Sequence, residues 1–213
     1  MTFLIFHFRY RLKKYLNKVG FHRADRALMV PKMTYNEYRF FKDYLAQNTS
    51  ALYLESGSGG STLIAERLGL SFHAYETSAG YAHYMNSLLN APRVSHIPVG
   101  RTAKYGRPLE KTKKHADQIS GVFDTHITNN NDSHNVVFLD GRCRVLTALR
   151  IHSLLGDNDS VLIHDFHRPN YQDVLQAYEI IDRVDSLVLL RKSNQISKDQ
   201  IQALTDEYQL DFE

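Results

Sequence analysis

The stretch Ala51-Leu52-Tyr53-Leu54-Glu55-Ser56-Gly57-Ser58-Gly59-Gly60-Ser61-Thr62 decides the fold. Its first five residues form an apolar run closed by an acid, the pattern of a buried strand. Gly57, Gly59 and Gly60 then require a tight turn whose bare backbone a ligand can approach. A helix is expected from about Ser61 to Leu68, with its free N–H groups facing whatever sits over the turn. A strand, a glycine-rich turn and a helix in that order open a βαβ unit.

The same alternation continues outward. Strands are expected at Phe72–Thr77, Val94–Val99, Asn135–Asp140, Ser160–Phe166 and Ser186–Arg191, with helices at Tyr81–Asn90, Arg144–Leu155, Tyr171–Arg183 and Lys198–Tyr208. Asn135–Asp140 (NVVFLD) is continuously apolar, as parallel strands covered on both faces are. The predicted architecture is α/β: a Rossmann-like three-layer sandwich with a mostly parallel central sheet and an N-terminal helical extension. Only Gly100–Asn135 breaks the alternation. A helix is expected there around His115–Thr125, then a polar surface loop at Asn129, Asn130, Asn131, Asp132 and Ser133.

Composition narrows the setting. The single cysteine, Cys143, excludes a disulfide framework and points to a reducing compartment, so a cytoplasmic location is expected. No run of apolar residues is long enough for a membrane-spanning helix, and no secretory leader is expected. Residues 1–42 hold ten Lys and Arg against Asp25 and Glu37, whereas the rest of the chain is mildly acidic. The chain therefore divides into a basic N-terminal helical extension, 1–44, and a Rossmann-like domain, 45–213. In the arm, Phe3, Leu4, Phe6, Phe8, Leu12, Tyr15, Leu16 and Val19 stand partly apart from Arg9, Arg11, Lys13, Lys14 and Lys18. That pattern fits peripheral membrane contact, packing on the body, or a homo-oligomer; no nucleic-acid partner is expected. Thr34 and Glu37 form a capping box that starts a helix running through Leu45, expected to close over the ligand.

The loop also limits the ligand. Glu76 ends the second strand, where an acid can accept hydrogen bonds from two ribose hydroxyls. A dinucleotide fingerprint needs a further glycine where Thr62 stands, which disfavours a nicotinamide-dependent oxidoreductase. A Walker loop is excluded because no Gly-Lys-Ser/Thr follows. What remains is a nucleoside-binding loop preceded by an acid, suited to a ligand with a cationic amino group.

On these residues the sequence resembles the class I S-adenosylmethionine-dependent methyltransferases, over roughly residues 45–191. Their first motif is an acid-x-Gly-x-Gly loop after strand one, and a second acid ends strand two. The resemblance implies S-adenosylmethionine as cofactor, with Glu55 near the methionine ammonium, Gly57 and Gly59 under the cofactor, and Glu76 on the ribose. Ser58, Ser61, Thr62 and Asp140 complete the candidate cofactor contacts. A narrower likeness rests on Tyr105-Gly106-Arg107-Pro108, on Asp140-Gly141-Arg142-Cys143-Arg144-Val145, and on His164-Asp165 near Arg168 and Tyr171. These segments look like a bacterial branch of the same enzymes. The activity implied is methyl transfer, and the acceptor is expected to be an oxygen of a small-molecule or sugar-like substrate; the alternative is a catalytically degenerate binding or assembly module, because Val99-Gly100 stands where many relatives carry a polar residue.

Three arrangements stay open for the strand-end groups. Asp140 and Asp165 could hold a divalent metal such as Mg, as in catechol-type methyltransferases, although Phe166 replaces a further polar ligand. His164 or Asp165 could be a general base without metal. Alternatively Asp140 caps the next helix while Asp165 pairs with Arg168 or Arg142. Of Arg142 and Arg144, one is expected to face the cleft and hold an anionic group on the acceptor, with Arg142 preferred, and the other to act as a tether.

Overall fold

The computed structural model describes residues 1–18, 25–127 and 134–213. Its helices are α1 (Phe3–Lys18), α2 (Asp25–Leu28), α3 (Tyr35–Gln47), α4 (Gly60–Arg67), α5 (Ala79–Leu88), α6 (Lys113–Ser120), α7 (Arg144–Ile151) and α8 (Lys198–Glu207). Its strands are β1 (Leu52–Ser56), β2 (Ser71–Glu76), β3 (Val94–His96), β4 (Asn135–Leu139), β5 (Ser160–Ile163), β6 (Tyr178–Val184) and β7 (Leu187–Lys192). The loop expected at Asn129–Ser133, and Val19 of the arm, lie outside the described residues.

The seven strands form one sheet in the order β3-β2-β1-β4-β5-β7-β6. From β3 to β5 every pairing is parallel; β7 runs antiparallel to both β5 and β6. Burial explains the layering. Every residue of β4 is buried, because alternate side chains meet different helices. Val136 and Phe138 belong to one core with Tyr53, Phe72, Phe41 of α3, Leu63 of α4 and Met85 of α5. Val137 and Leu139 join the other core with Leu54, Ile119 of α6, Leu146 of α7 and Leu204 of α8. The fold is thus a Rossmann-like α/β sandwich with three layers. Chain order reverses between β1 and β4, so a crevice opens at the carboxyl ends of those neighbouring strands.

The amino-terminal elements continue this layer. Phe6 of α1 is buried against Tyr38 of α3, their rings 5.0 Å apart, and Phe41 meets Phe138 at 4.8 Å. Helix α3 starts at the Thr34–Glu37 capping box and runs unbroken through 44 and 45. Among the described residues no helix is long and apolar enough to cross a membrane.

The clearest departure from expectation lies at Tyr171–Arg183, which is not a helix. A 3-10 segment, Pro169–Gln176, is followed by β6, which makes a hairpin with β7. Tyr178-Glu179-Ile180-Ile181-Asp182-Arg183-Val184 mixes apolar and charged residues at near-helical spacing. A register shift between Ile180 and Asp182 spoils the strict alternation that marks a strand. The strand is a sheet edge, and its charged residues are the kind that block edge-to-edge pairing. Asp185 turns the hairpin at φ 52°. Two strands are also shorter than expected: β3 stops at His96, and β5 stops at Ile163 because the chain bends at Asp165, φ 60°.

Phe138 is fully buried at the sheet centre. Phe138→Ala is expected to destabilise the protein by about 3–5 kcal/mol through lost packing and a cavity, read as a lower urea midpoint at unchanged slope.

Candidate functional site

The three glycines of the first loop serve different purposes. Gly57 has φ +92°, and a Cβ there would sit 2.5 Å from the Gly141 nitrogen, so the loops after β1 and β4 touch backbone to backbone. A Cβ on Gly60 would sit 2.3 Å from the Pro31 nitrogen, because the segment before α3 crosses the start of α4. Gly59 has nothing within 4 Å of its Cβ position and presents open backbone.

Above that backbone lies a cavity of about 500 Å³ at the topological switch point. Its floor is Ser56–Ser61, one wall carries Glu76, Thr77, Ser78 and Ile97, another carries Asp140, Gly141 and Arg142, and a third is Ala103–Gly106. Met29–Lys32 and Lys13 of α1 cover it. The cover is therefore the segment preceding α3, whereas α3 itself lies on the sheet; this corrects the expectation that the capping-box helix closes over the ligand. The Ala103–Gly106 wall contains Tyr105-Gly106, the start of a segment noted in the sequence without a site role. Its shape comes from Tyr105 and Gly106, both with positive φ, and from the Thr77 hydroxyl, which donates to the Gly106 carbonyl at 2.6 Å.

Glu76 is buried beside the cavity. One carboxylate oxygen accepts the Ser78 N–H at 2.9 Å and the other accepts the Ser58 hydroxyl at 3.4 Å. Burial raises its pKa against the opposing pull of the bonds from Ser78, Thr77 and Ser58. Glu55 is placed differently from its expected position at a methionine ammonium. It is fully buried beneath the loop, where the hydroxyls of Ser61 and Thr62 donate to its two oxygens, the latter at 2.7 Å. Burial dominates those bonds and pushes its pKa up to about 8. Both oxygens are engaged inward, so Glu55 and Thr62 shape the loop rather than line the cavity.

The strand-four and strand-five ends meet in a charge cluster. His164, 7% exposed, has Nδ1 3.1 Å from an Asp140 oxygen and Nε2 3.4 Å from Glu37 of α3. Burial alone would discharge the ring, but the bonds to Asp140 and Glu37, with the charges of Asp140 and Asp165, outweigh it and raise the pKa to about 9. Burial likewise opposes ionisation of Glu37. Hydrogen bonds from His164 and Ser186 and the backbone N–H groups of Thr34 and Ser186 prevail and lower it to about 2. Asp140 is also lowered: burial is overcome by Arg144 and His164. An imidazolium with both nitrogens held by carboxylates has no lone pair for an acceptor hydroxyl, so His164 does not fit the general-base role.

Arg144 is buried and makes the second half of the knot. Its guanidinium donates to the carbonyls of Gly141 at 3.0 Å, Asp140 at 2.9 Å and His164 at 2.5 Å, and pairs with Asp140 at 3.1 Å and Asp165 at 3.4 Å. Asp165 also pairs with Arg168 at 2.9 Å. The ligand atoms of Asp140, His164 and Asp165 come within 4.8 Å of one another. Three cationic side chains already occupy those acids, however, and Phe166 behind them is fully buried. This set does not fit a divalent metal, which would have to displace Arg144 and His164.

Arg142 reaches the cavity rim, where Nε and Nη2 donate to the Tyr105 carbonyl at 3.2 and 3.1 Å. Lys32 and Lys104 lie over the Tyr105 ring at 5.0 and 4.9 Å. Cys143 is buried and its thiol is pushed up to about 12 by burial, so it is no nucleophile.

This is the fold of a methyltransferase-like protein from Silicibacter pomeroyi DSS-3, with TM-score 0.72 and 21% identity over 86% of this chain and 98% of that one. A ribosomal protein L11 methylase from Lactobacillus delbrueckii subsp. bulgaricus aligns at TM-score 0.44 and 14% identity, over 78% and 82% of the two chains. MycE methyltransferase from the mycinamycin biosynthetic pathway, in complex with Mg, SAH and mycinamycin VI, aligns at 0.40 and 13%, over 82% and 55%. No family model and no curated protein sequence matches the chain.

The charge cluster has a defined pH signature. Glu37 contributes stability in full above its unfolded value of 4.5 and loses it as pH falls through about 2. His164 contributes in full below its unfolded value of 6.5 and loses it as pH rises through about 9. The cluster's contribution is therefore largest between those unfolded values and declines on both sides. Glu37→Gln is expected to cost about 3 kcal/mol at pH 6, by removing one of the two carboxylates that hold the buried His164 imidazolium, and to flatten the alkaline limb in urea denaturation across pH 5 to 9.5.

Proposed function

We propose that the protein is an S-adenosylmethionine-dependent methyltransferase acting on an oxygen of a small-molecule or sugar-like acceptor. The observation that carries this reading is the cavity over the open backbone of Gly59, with the Glu76 carboxylate in its wall at the β2 end. A buried acid there accepts ribose hydroxyls, bare backbone admits a close approach, and Ile97 offers an apolar surface to a base. The cofactor, when bound, supplies an electrophilic methyl group on a sulfonium.

The chain's own residues then orient the reactants. Asp140 borders the cavity and remains ionised, so it can accept the hydrogen bond of an acceptor hydroxyl and direct the oxygen. Arg142 at the rim suits a carboxylate or phosphate on the acceptor. A second reading, a binding module without turnover, draws support from the engagement of His164 and Asp165 in ion pairs, which leaves Asp140 alone to handle a proton.

Isothermal titration of the folded protein with S-adenosylhomocysteine is expected to show one site. Glu76→Ala should weaken it by roughly tenfold or more while the thermal transition stays within a few degrees. A folded protein that binds no S-adenosylhomocysteine overturns the reading. Binding without label transfer from a methyl-labelled donor to extracted small molecules selects the binding module.

A further inference from the structure

Helix α1 presents two apolar faces, and among the described residues only one has a partner. Phe6 is buried on α3, and Phe3 touches Tyr35 with ring centres 5.2 Å apart. Leu4, Phe8, Leu12 and Tyr15 follow at steps of four, four and three residues, which places them along one stripe of the helix. Leu4, Phe8 and Tyr15 are 78, 64 and 62% exposed, and Ile5 beside them is 46% exposed. Arg9, Arg11 and Lys14 flank the stripe, and the sequence has no acid before Asp25.

We infer that this outer stripe of α1 docks on an anionic lipid surface. An exposed aromatic and aliphatic row bordered by Arg and Lys has the pattern of a helix lying in the plane of a bilayer interface. Charge selects this occupant over a second copy of the chain. Two α1 helices meeting along the stripe would bring basic flanks together with no acid on either, whereas an anionic headgroup layer complements them. Lys13, on the body side of the same helix, borders the cavity. Docking along the outer face therefore sets the cavity mouth about one helix diameter, roughly 10 Å, from the surface.

The test is flotation of the full chain with phosphatidylcholine vesicles, with and without phosphatidylglycerol, alongside sedimentation velocity. Binding is expected only with phosphatidylglycerol, and raised salt should reduce it. The double variant Leu4→Ser/Phe8→Ser, and separately Arg11→Glu/Lys14→Glu, should each lower the bound fraction on the order of tenfold with an unchanged circular dichroism spectrum. Neither pair touches Phe6, so the packing on α3 is retained. Absence of binding to the anionic vesicles overturns the proposal. So does a dimer in solution that Leu4→Ser/Phe8→Ser dissociates, which would assign the stripe to a second copy.

Discussion

A buried imidazolium between two carboxylates holds this molecule together at the end where its cavity opens. Glu37 lies on α3, His164 follows β5 and Asp140 follows β4, so one ring joins a helix packed on the sheet to two strand ends. Such an arrangement is stable only if it is complete. Each charge is costly to bury alone, and removing any partner strands the others. Arg144 completes the balance by pairing with Asp140 and Asp165 while donating to three carbonyls of the same turns. The strand-four and strand-five loops are thereby held rigid.

That rigidity determines what the cavity can use. Asp165 and His164 face arginines and acids, and the charged residues that line the cavity are Glu76, Asp140 and Arg142 together with Lys13, Lys32 and Lys104. Close backbone packing does the rest. Gly57 against Gly141 sets the separation of the β1 and β4 loops, and Gly60 against Pro31 brings the amino-terminal segment over the opening. A larger residue at either glycine would force the walls apart. The binding geometry thus rests on steric contacts between loops and on a salt-bridged knot behind them.

Strands β1, β4 and β5 were legible in the sequence because they are covered on both faces and read as apolar runs. The loop at Glu55–Thr62 was legible because it directly follows such a run, and the acid at Glu76 because it closes the alternating strand β2. The β6 edge strand was not: with both faces largely exposed from Glu179 to Arg183 and a shifted register, Tyr178–Val184 reads as a helix. Nor was the role of Glu37 visible. As the third residue of a capping box it has a sufficient local explanation, and its bonds to His164 and Ser186 span more than a hundred residues that spacing cannot connect. Glu55 shows the opposite failure. Its position in the motif was clear, but only the fold reveals that Ser61 and Thr62 turn both its oxygens inward. The cover formed by Met29–Lys32 had no periodic signal at all.

If the proposed function holds, Asp140 and Asp165 stay in the salt-bridged knot and Glu76 takes the ribose of the cofactor. A crystal structure of the protein with S-adenosylhomocysteine, grown in magnesium, tests this most directly. The expected result is ribose hydroxyls at Glu76, with Arg144 still seated on Asp140 and Asp165 and no cation between them. A magnesium ion bridging Asp140 and Asp165, or a nucleoside lodged away from Glu76, would contradict it.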